Sequence, residues 1–281
     1  MLASTSQLLR EAQQEKYAIG AFNVYDLQGV QAVIRTAEGL KSPVMLQIHP
    51  KALELGGIPL VALCVEAARL AGVSVSVHLD HSSAEQAIRS ALEAGMSSVM
   101  ADGSHLSYEE NISFTRQMTI LAHAKGCAVE AELGRLSGTE DGLTVAEYEA
   151  LMTDPDLAVD FVQQTGVDAL AVCIGNVHGK YASEPKLDFR RLEEIGKRIN
   201  LPLVLHGTSG LPDEMIARSI ELGVCKFNVN TEVRGAYLSA AKKYLDDTKR
   251  PELTDMMAMV ISAMQAQVES KIKLFGSGGK A

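Results

Sequence analysis

The chain has 281 residues, 47% of them hydrophobic, which is enough to bury a sizeable core and lies within the range where an α/β barrel forms one domain. A formal charge of -9 and a pI near 5.3 exclude a broad nucleic-acid or membrane-surface binder, because either partner would repel a net anion; an anionic substrate would have to be held by local groups. Cys64, Cys127, Cys173 and Cys225 are widely spaced, without a CxxC pair, and read as buried small hydrophobes in a reducing compartment. With no basic leader and no apolar run of roughly 18 residues, the expectation is a soluble, cytoplasmic protein.

In chain order, a helix over 4–15 opens with Ser4 and Gln7 at capping-box spacing and leads into a first strand at 18–24. The alternation then runs helix 28–40, strand 43–48, helix 58–70, strand 74–80, helix 84–94, strand 98–103, helix 109–125 and strand 128–134. Residues 136–153 break the rhythm with SGTEDG and an expected acidic helix, long enough for a lid at a barrel mouth. Helix 155–165, strand 169–175, helix 188–199, strand 202–206, helix 212–222 and strand 226–230 complete the set, and 233–273 reads as helix. Met256, Met257, Met259 and Met264 there are expected to pack into the core.

Eight strands alternating with helices predict an α/β protein with the (β/α)8 TIM-barrel fold, one domain over 1–281 with an extended C-terminal helical region. A doubly wound open sheet would normally carry a glycine-rich turn after the first strand, and Asn23-Val24-Tyr25-Asp26 has none.

The stretch SVSVHLDH at 74–81 sets the chemistry. Val75, Val77 and Leu79 alternate with Ser76, His78 and Asp80, so one face suits the outer helices and the other the barrel interior, with Asp80 and His81 at the carboxyl end. Apolar runs also finish in histidine beside glycine at 168–179 (DALAVCIGNVHG) and 202–207 (PLVLHG). Three imidazoles, His81, His178 and His206, at one barrel mouth make a candidate catalytic zinc site with an open position. His49, His105 and His123 read as structural, and His78 as an interior residue.

Asp102 and Glu132 end neighbouring strands, and Glu130 shares the inward parity of Glu132; buried carboxylates gathered there need a cation or proton-transfer work to offset their desolvation. Gly207-Thr208-Ser209-Gly210 and Asn228-Val229-Asn230-Thr231 follow strands seven and eight, the usual phosphate position in such barrels, with Lys180 and Lys226 as possible added charge. A Schiff base on Lys226 is a metal-free rival, and a zinc hydrolase or a non-catalytic barrel are rivals of other kinds.

HLDH, DGSH, EAELGRLSGTED, GNVHGKY, VLHGTSG and KFNVNTE, in this order, resemble the class II metal-dependent ketose-bisphosphate aldolases, from Ala18 to the closing FGSGGKA. The resemblance implies zinc on His81, His178 and His206, Asp80 as the acid/base at the C4 hydroxyl, and Asp102 and Glu132 at an alternative or second metal position. It implies that Glu140 exchanges a proton with the ketose-derived carbon. Gly179, Gly207, Ser209, Asn228 and Thr231 match substrate or phosphate contacts, joined as candidates by Asn23, Thr208 and Asn230; Gly179 and Ser209 resemble places near a monovalent cation, Na+ or K+. Thr208 departs from the glycine or alanine usual there. The implied substrates are fructose 1,6-bisphosphate, with tagatose bisphosphate or a sugar-acid phosphate as alternatives, and the implied assembly is a homodimer or homotetramer.

Overall fold

The computed structural model describes residues 1–140, 143–145, 151–179 and 184–281, with backbone alone for 137–140 and 143–145. Eight parallel strands close into a barrel: β1 (Ile19–Asn23), β2 (Val44–Ile48), β3 (Val75–Ser82), β4 (Ser98–Ala101), β5 (Ala128–Leu133), β8 (Ala169–Val172), β10 (Leu203–Leu205) and β11 (Val224–Val229), with β1 paired to β11. Between them run α2 (Leu27–Leu40), α3 (Pro50–Leu70), α4 (Glu85–Glu93), α5 (Tyr108–His123), α6 (Pro155–Thr165), α7 (Phe189–Arg198) and α8 (Asp213–Glu221). The (β/α)8 TIM barrel expected from the alternation is thus the observed fold. No helix among the described residues is long and apolar enough to cross a membrane.

The alternation in β3 sorts as expected: Val75, Val77 and Leu79 join the outer core with Val61, Cys64 and Val65 of α3 and Ile88 of α4. A second apolar cluster fills the amino-terminal end of the barrel, where Ile19, Ala21, Met45, Ala169, Ala171, Val204 and Cys225 meet Leu8, Leu9 and Ala12 of α1 (Thr5–Glu15). Helix α1 therefore stoppers that end and leaves the carboxyl end for function. Its cap is half of the expected box: Ser4 Oγ accepts from Gln7 N at 3.5 Å, but the Gln7 side chain turns to Glu11.

Several boundaries differ from the sequence expectation for physical reasons. Helix α3 begins at Pro50, capped by His49, and breaks at Gly57 (φ 56, ψ -160), ahead of Pro59. The C-terminal region is two helices, α9 (Thr231–Asp247) and α10 (Leu253–Phe275), separated around Pro251. On α10 the inward row is Val260, Met264, Val268, Ile272 and Phe275, so Met264 packs in the core while Met259, one position out of phase, is 41% exposed.

The strand expected at 169–175 stops at Val172. His178 lies beyond it on β9 (Val177–His178), which belongs to a separate small sheet with β6 (Ser137–Glu140) and β7 (Leu143–Val145) in the order β7-β6-β9. The segment 146–150, where an acidic helix was expected, lies outside the described residues, as does Lys180.

Candidate active site

Asp80 and His81 are adjacent, and strict strand alternation would send them to opposite faces. The β3–β4 register instead shifts between Leu79 and Ser82, placing an extra residue in β3, and His81 has φ 32. That bulge turns both side chains toward the mouth. Left-handed backbone at a non-glycine residue costs on the order of 1–3 kcal/mol, a strain typical of functional positions.

His178 reaches the same place from the small sheet, and Asn176 holds the crossing. The Asn176 side chain accepts from Ile174 N at 2.8 Å and donates to the carbonyls of Val172 and His206 at 3.3 and 3.0 Å. Gly207 makes the approach possible, since a Cβ there would sit 2.2 Å from the Val177 carbonyl oxygen.

The three imidazoles converge. Ring centroids are 4.6 Å apart for His81 and His206, 5.1 Å for His81 and His178, and 6.2 Å for His178 and His206. One ligand-type nitrogen from each lies within 4.8 Å of the others. On two of the rings the opposite nitrogen is committed to a carboxylate: His81 Nδ1 bonds Asp102 Oδ2 at 2.7 Å, and His206 Nε2 bonds Glu130 Oε1 at 2.8 Å. His81 Nε2 and His206 Nδ1 are buried and make no hydrogen bond, although such groups normally find one. This donor set fits a divalent transition metal, with His81, His178 and His206 to hold it and carboxylates orienting the rings from behind.

Electrostatics favour a free lone pair on two of the three rings; on His81 burial is outweighed by Asp80 and Asp102, which raise it well above the usual imidazole value, so His81 would give up a proton on binding an ion. Burial and the neighbouring His81 charge lower His206 well below the usual imidazole value, and the same two causes bring His178 down to about 3, so both keep a lone pair to give. Burial pushes Asp80 up, but His81, His206 and Lys226 outweigh it and hold the carboxyl below the usual carboxylate range. Glu132 is raised to about 8 by burial and by Asp102. Its Oε2 is buried without a hydrogen bond, 3.3 Å from His206 Nδ1, facing the same space. Asp102 and Glu132 thus flank the three-histidine cluster, Asp102 as the partner of His81.

Asp80 is fully buried and held from two sides. Asn23 Nδ2 donates to Oδ2 at 3.3 Å and Asn228 Nδ2 to Oδ1 at 3.1 Å, while Gln47 Nε2 fixes Asn23 at 3.0 Å.

The two glycine- and asparagine-rich loops follow the paired strands β10 and β11 and meet at the mouth. Thr208 Oγ1 donates to the Asn228 carbonyl at 3.2 Å, so the unusual threonine ties one loop to the other. Thr231 is the first residue of α9, behind Asn230, whose Oδ1 accepts from Tyr25 at 2.8 Å. Ser209 donates to Glu232 at 2.6 Å, and Lys271 of α10 pairs with Glu232 at 3.0 Å. Gly179, with φ 85, follows His178. Glu140 ends β6; its side chain lies outside the described residues, but Gly138 of the same strand pairs with His178 in the backbone register.

Sequence reasoning passed over Asn176, and also Arg234 and Tyr237, which with Asn23 and Asp26 line a cavity of about 280 Å³ at the β1–α9 edge. The signal available was the helical spacing of Thr231, Arg234 and Leu238 after strand eight.

Three solved structures of similar shape carry aldolase names. The YdjI aldolase of Escherichia coli K12 is 37% identical, with all of both chains covered and a TM-score of 0.90. A Coccidioides immitis protein provisionally named a fructose-1,6-bisphosphate aldolase is also 37% identical, with 98% of this chain and 97% of that one covered and a TM-score of 0.92. The Campylobacter jejuni fructose-bisphosphate aldolase, at 23% identity, with 100% of this chain and 97% of that one covered and a TM-score of 0.84, shares the fold. By class, then, this barrel is an aldolase-type lyase. The profile of the family "Fructose-bisphosphate aldolase class-II" matches residues 3–280, and the chain belongs to that family.

Proposed function

We propose that the protein reversibly cleaves a ketose 1,6-bisphosphate, with fructose 1,6-bisphosphate the leading candidate, to dihydroxyacetone phosphate and glyceraldehyde 3-phosphate, using zinc held by His81, His178 and His206. The observation that carries this reading is the convergence of three imidazole nitrogens beside a buried, ionised Asp80. When bound, a divalent ion there supplies Lewis-acid stabilisation of the negative charge that develops on the C2 carbonyl oxygen as C3–C4 breaks.

The chain's own residues do the rest. Asp80, kept anionic and aimed by Asn23 and Asn228, takes the C4 hydroxyl proton during cleavage and returns it during condensation. Glu140 exchanges the C3 proton. The backbone of 207–210 and the first turn of α9 bind phosphate, with Gly179, Gly207, Thr208, Ser209, Asn228, Asn230 and Thr231 around it and a Na+ or K+ ion near Gly179 and Ser209. Asp102 and Glu132 would serve a second or alternative metal position, as the family resemblance implies.

The lysine Schiff-base rival loses support from Lys226, which is fully buried with Nζ bonded to Glu130 and Asn228. The net charge of -9 speaks against a nucleic-acid or membrane partner and leaves a phosphorylated substrate to be held by local groups, and the four free cysteines favour a cytoplasmic setting. We read the working assembly as a homodimer or homotetramer, on family likeness.

The test is a coupled cleavage assay with and without chelator. Chelation should abolish turnover and added zinc or cobalt restore it, whereas borohydride trapping of substrate on lysine with chelator harmless would refute the scheme. Parallel kcat/KM values for fructose and tagatose bisphosphates identify the sugar. His49 and Ser82 are committed to capping α3 and to the Ala84 carbonyl, whereas Gln47 Oε1 is buried without a partner, which makes Gln47 the best placed of the three to read C4 configuration through Asn23 and Asp80.

A further inference from the structure

Lys226 has no exposed surface, it lies in the barrel interior among the buried carboxylates, and the reaction scheme above gives it no step. Burying an ammonium group is costly unless it is paired and hydrogen-bonded. Its Nζ makes three contacts: 2.9 and 3.2 Å to the two Glu130 oxygens and 2.6 Å to Asn228 Oδ1. Each of those partners leads to a different part of the site. Glu130 Oε1 accepts from His206 Nε2, which leaves His206 Nδ1 as the nitrogen turned toward the imidazole cluster. Asn228, with its Oδ1 taken by the ammonium, has only its amide nitrogen to offer Asp80, and donates it at 3.1 Å.

We propose that Lys226 is a positioning residue that sets two things at once: which ring nitrogen His206 presents to a metal, and which end of the Asn228 amide faces Asp80. The inference rests on the aldolase reading. Its two arms act by different physics. Toward Glu130 the ammonium matters as a compensating charge that keeps the carboxylate in place behind His206. Toward Asn228 it matters as a donor that forbids the flipped amide, which would turn an oxygen lone pair toward a carboxylate.

That difference makes the arms separable. In Lys226→Met the length of the side chain is kept and the charge lost, so Glu130 is left buried without its cation. Metal affinity, measured by competition with a chromophoric chelator, should weaken roughly 10–100-fold, and kcat at saturating zinc should fall about 100-fold through misplacement of Asp80 with KM little changed. The double variant Lys226→Met/Glu130→Gln restores neutrality and keeps an acceptor for His206. It should therefore regain wild-type zinc affinity and melting temperature while kcat stays low, because Asn228 Oδ1 has lost the donor that anchored it and the amide is held from the Asp80 side alone.

The double variant also guards against a single variant that fails to fold. Wild-type zinc affinity in Lys226→Met would overturn the His206 arm, as would a folded double variant that binds zinc no better than the single one. Full recovery of kcat in the double variant would overturn the Asn228 arm. The cleavage assay on the unaltered protein separately decides the aldolase reading, and zinc competition needs no turnover, so the two can fail independently.

Discussion

The two ends of the barrel interior are filled by opposite chemistry. At the amino-terminal end, Ile19, Ala21, Met45, Ala169, Ala171, Val204 and Cys225 close on Leu8, Leu9 and Ala12 of α1, with no ionised group among them. At the carboxyl end β1, β2, β3, β5 and β11 present Asn23, Gln47, His78, Asp80, Glu130, Glu132, Lys226 and Asn228, all buried. Apolar burial at one end contributes about 25 cal/mol per Å² to stability. Burial of charge at the other costs stability, and it is offset in part by the chain of hydrogen bonds from Gln47 through Asp80 to His206 and by the His81–Asp102 pair. The lower half is built to hold the barrel together; the upper half keeps charges dry and oriented at the expense of stability.

If that division is real, substitutions at the two ends should separate activity from stability. The largest effect is expected at Asp80→Ala, which should lower kcat by about 100- to 10,000-fold while a calorimetric scan of the metal-loaded protein shows an unchanged or higher melting temperature. Near-normal turnover would remove Asp80 from the reaction and break the comparison at its upper end. Met45→Ala, in the lower layer, should do the converse: urea titration should show a loss of about 2–5 kcal/mol, with kcat per folded molecule retained. A large loss of kcat there would mean the halves are not independent.

A smaller change sharpens the comparison at the phosphate side. Lys271 and Glu232 are only partly buried, so their pair is worth no more than about 1 kcal/mol. Yet Glu232 holds Ser209, and its carboxyl is kept below the ordinary value because Ser209 and Lys271 outweigh the upward push of burial. Lys271→Met leaves that anion uncompensated beside a phosphate loop. KM for the bisphosphate should rise up to about fivefold with kcat and zinc affinity unaltered, as steady-state kinetics and chelator competition would report.

Much of this was legible in the chain. Period-two alternation in 74–80 assigns Val75, Val77 and Leu79 outward and Ser76, His78 and Asp80 inward without knowledge of any neighbour, because pleating alone dictates it. Alternation of strand and helix is likewise local, and it was sufficient for the barrel. His206 and the loops at 207–210 and 228–231 follow from their position at strand ends.

What local rules could not supply are the features that depend on a neighbouring strand. A bulge exists only relative to a partner's register, so period two alone misplaces His81, and only the β3–β4 mismatch turns it beside Asp80. His178 looked like the end of a barrel strand but comes from a separate sheet, because β8 ends at Val172 and Asn176 redirects the chain. Glu130 and Lys226 are 96 residues apart, and nothing in either segment names the other as its counter-charge. The sequence by itself determined the barrel and the residue types at its mouth, since both arise from short-range periodicity. Only the tertiary structure decided which nitrogen, which oxygen and which amide end face one another, because those choices are made by hydrogen bonds between distant strands in a space closed to water.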